Sequence, residues 1–281
     1  MTLSIAHLGP PGTYAEAAAL RYGEWLKAAT QQTVQLLPCA SIPQTFYTVA
    51  EGKTDLAIVP VENSIEGSVT TTMDTLWNLD TLQIQRSLDL PITHAFLSRA
   101  TAIANVHTVY SHPQALAQCQ AWLEQHLPQA KRIPTNSTTE ALQHLDDDPT
   151  IGAISSRRAA ALYQLPILAC PINDHPDNCT RFWVIGLQPS PGGQRTSLAF
   201  SVHDVPGALV KPLQVFADRG INMSRIESRP SKRALGDYVF FIDLAGDLRE
   251  ANMQQTLAEL ALHTETLKVF GSYDPVPAIA D

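Results

Sequence analysis

The sequence predicts an α/β protein: two lobes followed by a smaller ferredoxin-like unit. Three observations carry this reading. Over the first ~190 residues, short apolar segments alternate with amphipathic ones, as strands and covering helices of open sheets do. Two extended stretches, Leu82–Leu97 (broken at Pro91) and Pro166–Pro176, lack helical period and read as crossings between the lobes. After Pro189-Ser190-Pro191-Gly192-Gly193, a linker by its turn residues, the order becomes βαββαβ. A length of 281 residues suits roughly two domains.

Taken in order, Leu3–Leu8 is a short strand ending in Gly9-Pro10-Pro11-Gly12, and Thr13 is placed to cap the helix beginning at Ala15. Leu36–Cys39 precedes a helix capped at Ser41. Asp55–Pro60 is a continuous apolar strand, the pattern of a strand covered on both faces. It enters a loop carrying Glu62, Asn63, Ser64, Gly67 and Ser68, then a helix from Thr70 to Leu79. In the second lobe, about residues 93–172, Thr108–Ser111 is a strand. Ser111 is placed as the cap of the next helix, Pro113 near its first position, and Gln114 and Gln118 share one of its faces. Ser137–Glu140 opens a helix with capping-box spacing. Ile151–Ile154 is a buried strand, followed by Ser155-Ser156 and a helix from Arg157 to Leu165. The chain then returns to Asn178-Cys179-Thr180-Arg181-Phe182, where a loop becomes a strand. Beyond the linker come strands Thr196–His203, Ile221–Ser228, Tyr238–Leu244 and Leu267–Tyr273. Helices run from Gly207 to Arg219 and from Ala251 to Thr264, and a turn from Arg229 to Asp237.

The composition is 44% hydrophobic and 16% charged, enough apolar mass for packed cores. A net charge of −8 argues against a general nucleic-acid surface, which needs a basic face. Cys39, Cys119, Cys170 and Cys179 match no zinc or redox spacing, so buried free thiols are the default. Thiols in apolar segments, no signal-peptide layout and no spanning apolar run place the protein in the cytoplasm, away from membranes.

Ligands of open α/β sheets bind beyond the carboxyl ends of the strands. Here those ends carry Thr13, Asn63, Ser64, Ser111, Thr138, Ser155 and Thr180. Helix N-termini aimed at one cleft would each present roughly half a positive charge, which suits a small carboxylate ligand. Singly, each of these residues also reads as a cap, and a plain binding protein would look the same.

Four ordered motifs add to this: GPPGTYAEAAA at Gly9–Ala19, VPVENSIEGSV at Val59–Val69, SHPQALAQC at Ser111–Cys119 and NCTRFWVIG at Asn178–Gly186. Together they resemble the prephenate dehydratases over nearly the whole chain. GALV at Gly207–Val210 and ESRP at Glu227–Pro230 resemble the phenylalanine-binding pair of that family's ACT domains. The resemblance implies a two-lobed, periplasmic-binding-protein-like catalytic domain over 1–188 and an ACT regulatory domain over 195–275. It implies conversion of prephenate to phenylpyruvate, carbon dioxide and water without metal or cofactor, under feedback by phenylalanine. Carried over residue by residue, Thr180 would hydrogen-bond the leaving hydroxyl, Asn63, Ser111 and Gln118 would hold the substrate, and Glu62 would tune that network. Thr13, Ser64, Arg181 and Phe182 would contact substrate, with Arg181 serving equally as a brace between lobes. In the ACT domain Gly207, Ala208, Leu209, Val210, Asn222, Glu227, Ser228, Arg229 and Pro230 would meet the effector at an edge shared in a homodimer or homotetramer. One departure is that Tyr14 and Ala15 stand where the family more often has Phe and Ser, and the added hydroxyl could touch substrate preference. No chorismate mutase segment precedes Met1, which reads as the monofunctional form. Two alternatives stay open: an arogenate dehydratase, and an amino-acid sensor with an inactive lobe.

Overall fold

The computed structural model describes residues 2–145, 148–234 and 236–277. The first lobe runs β1 (Thr2–Leu8), α1 (Tyr14–Thr30), β2 (Thr33–Cys39), α2 (Ile42–Ala50), β3 (Leu56–Asn63), β4 (Gly67–Ser68), α3 (Thr70–Trp77) and β5 (Gln83–Pro91). The second runs β6 (His94–Ser98), β7 (Thr108–Ser111), α4 (Pro113–Ala117), α5 (Gln120–His126), β8 (Lys131–Pro134), β9 (Ile151–Ser156), α6 (Arg157–Leu162) and β10 (Ile167–Ala169). The chain then returns to the first sheet as β11 (Cys179–Gly186). The last unit is β12 (Arg195–Ser201), α7 (Val210–Asp218), β13 (Met223–Pro230), β14 (Tyr238–Ala245), α8 (Ala251–Ala261) and β15 (Thr266–Tyr273).

Three sheets result. The first has order β2-β1-β3-β11-β5, with β4 paired to β3; β1 lies parallel to β2 and β3, and β11 runs antiparallel between β3 and β5. The second has order β10-β6-β9-β7-β8. The third, β13-β14-β12-β15, is antiparallel throughout. The two lobes are joined by Pro91–His94 and by the return through Ile172–Asn178. There Asn173 bridges the strands, donating from Nδ2 to Ile92 O (2.9 Å) and accepting His94 N (2.6 Å).

Strand alternation explains how the third sheet docks. Along β12, Leu198 and Phe200 face one way and Ala199 the other. Leu198 and Phe200 join Phe216, Ile242, Leu244, Met253 and Leu260 under α7 and α8. Ala199, Val239, Phe241, Phe270 and Tyr273 instead join Phe46, Met73, Leu76, Trp77 and Trp183 of the first lobe in one core. Burying such side chains contributes roughly 1.5–3 kcal/mol each. The indole of Trp183 donates to Tyr273 Oη at 3.0 Å, so the polar tips in this core are satisfied.

Several elements depart from the sequence reading, four of them near the functional residues. Strand β3 runs three residues past Pro60, making Glu62 and Asn63 strand residues of opposite direction. The helix after β7 is capped by His112, whose Nδ1 accepts Gln114 N at 3.3 Å; Ser111 instead ends the strand. Ser137 does accept Glu140 N at 2.9 Å, yet only a short 3-10 turn follows, Glu140–His144. Strand β13 continues to Pro230, so the expected turn from Arg229 begins later; its Leu235 lies outside the described residues. Among the described residues no helix is long and apolar enough to cross a membrane.

Candidate active site

The site starts from one strand pair. β3 and β11 pair antiparallel with Thr180 opposite Asn63 and Arg181 opposite Glu62. Directly opposed residues project to the same face, and neighbours along a strand to opposite faces. Asn63 and Thr180 therefore share the face toward the interlobe cleft, and Glu62 and Arg181 share the other. Phe182, two residues after Thr180, returns to the inner side by the same alternation, and the register shift between Arg181 and Phe182 leaves Val61 as the extra residue on β3. The cleft holds about 520 Å³ and is lined by Thr13, Tyr14, Asn63, Thr180 and Phe182 of the first lobe and by His94, His112, Gln118 and Ser137–Thr138 of the second.

A directional network runs across it. Asn63 Oδ1 accepts the backbone amides of Ile65 and Glu66, both at 3.1 Å. Those two donors fix the amide, so its Nδ2 faces Thr180 Oγ1 (2.9 Å) and Asn178 Oδ1 (2.8 Å) as donor. Asn178 must then present Nδ2, which donates to Gln118 Oε1 at 2.8 Å. Gln118 Oε1 also faces His94 Nε2 at 3.0 Å, and His94 Nδ1 faces Tyr14 Oη at 3.1 Å. Asn63, Gln118, Asn178 and His94 are all 5% exposed or less. The Thr180 hydroxyl accepts from Asn63, and among the described residues its hydrogen has no protein acceptor. It is free to donate into the cleft.

Burial sets the protonation states. It lowers His94 from the ordinary imidazole value, with the Gln118 bond opposing, and holds the Tyr14 phenol well above its ordinary value. Burial also lowers His112, against the nearby Glu66 charge. Among the described residues no cluster of His, Cys, Asp and Glu could hold a metal ion.

The lobes are latched beside the cleft at α1. Glu16 Oε2 accepts Gly12 N and Arg158 Nε, each at 2.8 Å, Ser156 Oγ donates to Gly12 O at 3.0 Å, and Tyr163 Oη to Pro11 O at 3.1 Å. Burial raises the Glu16 carboxyl, but the Arg158 and Gly12 bonds outweigh it and leave its pKa lowered.

Several sequence-nominated residues lie elsewhere. Ser111 is fully buried and donates to Ile154 O at 2.7 Å, stitching the second sheet instead of facing the cleft. Ser64 sits outside the cleft lining, accepting Cys179 N at 3.0 Å. Arg181 makes a two-pronged pair with Asp89, at 2.8 and 3.0 Å, and lies 4.0 Å from Glu62. The Asp89 hydrogen bond raises the pKa of this guanidinium further. Glu62 approaches Arg225 of β13 at 3.9 Å. Glu62 and Arg181 are thus on the far face of the strand pair, placed there by strand parity. Asn178 and His94 were not nominated. Asn178 opens the motif Asn178–Gly186, whereas His94 lies in a crossing segment with no motif to mark it.

The prephenate dehydratase family matches residues 5–190, and the ACT domain family residues 196–262. The chain belongs to the prephenate dehydratase family. It is 43% identical over 274 residues to the bifunctional chorismate mutase/prephenate dehydratase of Aquifex aeolicus, covering 96% of this chain and 73% of that one. To the prephenate dehydratase of Mycolicibacterium vanbaalenii it is 36% identical, covering 96% and 90%. The crystal structure of prephenate dehydratase in complex with L-Phe from Arthrobacter aurescens matches with a TM-score of 0.86 at 34% identity, over 99% of this chain and 92% of that one. The structure of GqqA, described as a novel type of quorum quenching acylase, matches with a TM-score of 0.82 at 28% identity, over 98% of each chain.

As in this family, the two lobes are followed by an ACT domain, and its two motifs occupy different places. Gly207, Ala208, Leu209 and Val210 line a cavity of about 250 Å³ with His203, Tyr238 and Phe240. Gly207 has φ +79°, which a side chain would strain. Glu227, Ser228, Arg229 and Pro230 lie on edge strand β13, outside that cavity, as does Asn222 before it. Glu227 accepts Ser68 Oγ at 3.0 Å, and Arg229 bonds both carboxylate oxygens of Asp74 at 3.2 Å. Within one chain, the second of the two motifs, Glu227–Pro230, thus touches the first lobe.

Proposed function

We infer that this chain converts prephenate to phenylpyruvate, carbon dioxide and water, and that phenylalanine regulates it through the ACT domain. The observation that carries the reading is the Thr180 hydroxyl, oriented by Asn63 and left with a free hydrogen inside the cleft. Prephenate carries two carboxylates and a ring hydroxyl. In the reaction the C–C bond to the ring carboxylate breaks and its electron pair enters the ring. The C–O bond to the hydroxyl breaks with it, and the departing oxygen takes one proton to leave as water. The gain of an aromatic ring drives both cleavages. The protein therefore has to position the dianion and supply one proton or hydrogen bond at the leaving oxygen. Thr180 is the donor in this reading, Asn63 its orienting group, and Gln118 and Asn178 hold that amide. Thr13 and Phe182 shape the wall. Ser111, Ser64, Glu62 and Arg181 act through the scaffold.

Acyl transfer, the activity named for GqqA, fits less well. The hydroxyl of Thr180 is paired with an amide, which cannot take its proton as the general base of a nucleophile would. Exposed Val205, Val210 and Leu262, at 58%, 63% and 80%, support self-association through the ACT domain; a homodimer or homotetramer, in the cytoplasm, belongs to the same reading.

Turnover of prephenate and, separately, arogenate, each with and without phenylalanine, tests the reading. Phenylpyruvate formed from prephenate and altered by phenylalanine is the expected result. Faster phenylalanine release from arogenate would change the substrate and keep the chemistry. Phenylalanine binding without turnover of either would make the protein a sensor.

A further inference from the structure

The cleft proposed to take a dianion has no lysine or arginine among its described lining residues. Its ionisable cations-in-waiting are two imidazoles, His94 and His112. His112 is committed locally, because its Nδ1 accepts the amide of Gln114 as a helix cap. His94 is held from both ends. The polarity set by the Ile65 and Glu66 amides, passed through Asn63, Asn178 and Gln118, makes Gln118 Oε1 an acceptor, so His94 Nε2 carries a hydrogen.

The other nitrogen exposes a shortage of one proton. Tyr14 Oη stands 2.7 Å from Thr93 O and 3.1 Å from His94 Nδ1. A carbonyl oxygen accepts only, and in the neutral ring with Nε2–H, Nδ1 also accepts only. One phenol hydrogen cannot satisfy both. A protonated ring resolves the conflict: Nδ1–H donates to Tyr14 Oη, Tyr14 O–H donates to Thr93 O, and Nε2–H donates to Gln118. Every contact then has its hydrogen.

We propose that His94 is the positioning residue that takes up one proton as the dianionic substrate enters, becoming the cleft's cation. The inference rests on the prephenate reading. His94 acts by charge and by fixing Gln118, since both ring nitrogens are spoken for by protein groups. In the empty cleft, burial disfavours the charged ring. The titratable groups near it are the Tyr14 phenol from α1, the Cys119 thiol after α4 and the Cys170 thiol, whose Sγ lies 3.7 Å from His94 O; the Glu140 carboxyl and the His112 ring line the same cleft. Burial holds the Tyr14 phenol and the Cys119 thiol well above their ordinary values, and no ionised side chain is paired with either ring nitrogen. The incoming carboxylates are then the charges that raise the ring's pKa.

The consequence is a window of pH between the ring's value in the empty cleft and its higher value in the complex. Across it KM rises about tenfold per pH unit while kcat stays flat, because one proton is bound with the substrate. The test is a pH series of kcat and KM on the full chain, for wild type and His94→Gln. Glutamine can donate to Gln118 and accept from Tyr14 but never charges. The expected result is a KM slope in wild type that His94→Gln abolishes, with the variant's KM raised at the acid end. The same slope in both proteins overturns the proposal. If His94→Gln fails to fold, ring nitrogen shifts of His94 by NMR in Thr180→Val enzyme decide. A shift to the doubly protonated form on saturation with prephenate supports it, and an unchanged neutral ring overturns it. Wild type that turns over no prephenate would sink the functional reading itself, an outcome distinct from turnover without the slope.

Discussion

Replacing Thr180 with valine keeps the shape of the side chain and removes its hydroxyl. The structure separates what this costs the fold from what it costs the reaction. In the fold, Thr180 Oγ1 is one of two close acceptors for Asn63 Nδ2; the other, Asn178 Oδ1 at 2.8 Å, remains. One lost hydrogen bond with its partner still satisfied costs about 0.5–1.5 kcal/mol. In a protein of this size that lowers Tm by only a few degrees. For the reaction, the same hydroxyl is the donor aimed into the cleft. Loss of a positioned proton donor typically slows the chemical step by about 10²–10⁴, or roughly 2.7–5.4 kcal/mol. The loss should fall on kcat, since the donor matters most as the hydroxyl departs. Phenylpyruvate formation under saturating prephenate, beside a thermal melt, measures both. Thr180→Ser, which retains the hydroxyl, should recover most of the rate. Wild-type turnover in Thr180→Val, with Tm nearly unchanged, would refute the assignment of Thr180.

Other expectations follow from the contacts around the cleft and the ACT junction. Glu16 has a lowered folded-state pKa despite its burial, so its pair with Arg158 stabilises the protein above the ordinary carboxylate range of about 4.3 and is lost as pH falls through the lower folded value. Acid melts should therefore show a steeper loss of Tm in wild type than in Glu16→Gln. Gly12 has φ +93°, and a Cβ there would lie 3.2 Å from Ala159 Cβ across the lobe contact. Gly12→Ala should cost on the order of 1–3 kcal/mol and raise KM by spreading the lobes, as a melt and a saturation curve would show. Arg225, with its side chain 9% exposed, donates to Ser68 Oγ at 3.1 Å and faces Glu62 and Asp243, each at 3.9 Å. Arg225→Met should leave phenylalanine binding by dialysis near wild type, and should erase most of the effector's influence on KM. A typical coupling of about 1–3 kcal/mol would be at stake.

The lobes and the ACT unit were legible because their signals are local. Apolar runs, Pro/Gly turns and caps such as Thr13 and Ser41 are set by a few neighbouring residues, and the caps formed as side-chain acceptors of Glu16 N and Gln44 N. The cap assigned to Ser111 moved one residue because the strand's pairing with β8 holds Ser111 itself, leaving His112 to turn the chain. The Asn63–Thr180 pair is 117 residues apart in the chain, and only motif resemblance could join them beforehand. His94 and Tyr14 were harder, because their meaning is a proton count across two lobes that no local pattern records.

Glu62 and Arg181 show how strand parity separates neighbours within a single motif. Both sit beside residues that face the cleft, and both carry chemistry a substrate site could use. With β3 extended through Asn63, however, parity turns Glu62 away as surely as it turns Asn63 inward, and register hands Arg181 the same face as Glu62. On that face Glu62 meets Arg225 of β13, and Arg225 shares Ser68 with Glu227 of the same strand. One strand pair thus presents hydrogen-bonding groups to the cleft and charges to the ACT domain. A shift of β13 that moved Arg225 would act on Glu62, and the residue beside Glu62 in the same strand is Asn63, which aims the Thr180 hydroxyl. In the proposed reading, the physical route from β13 to the Thr180 hydroxyl is therefore the thickness of a single sheet.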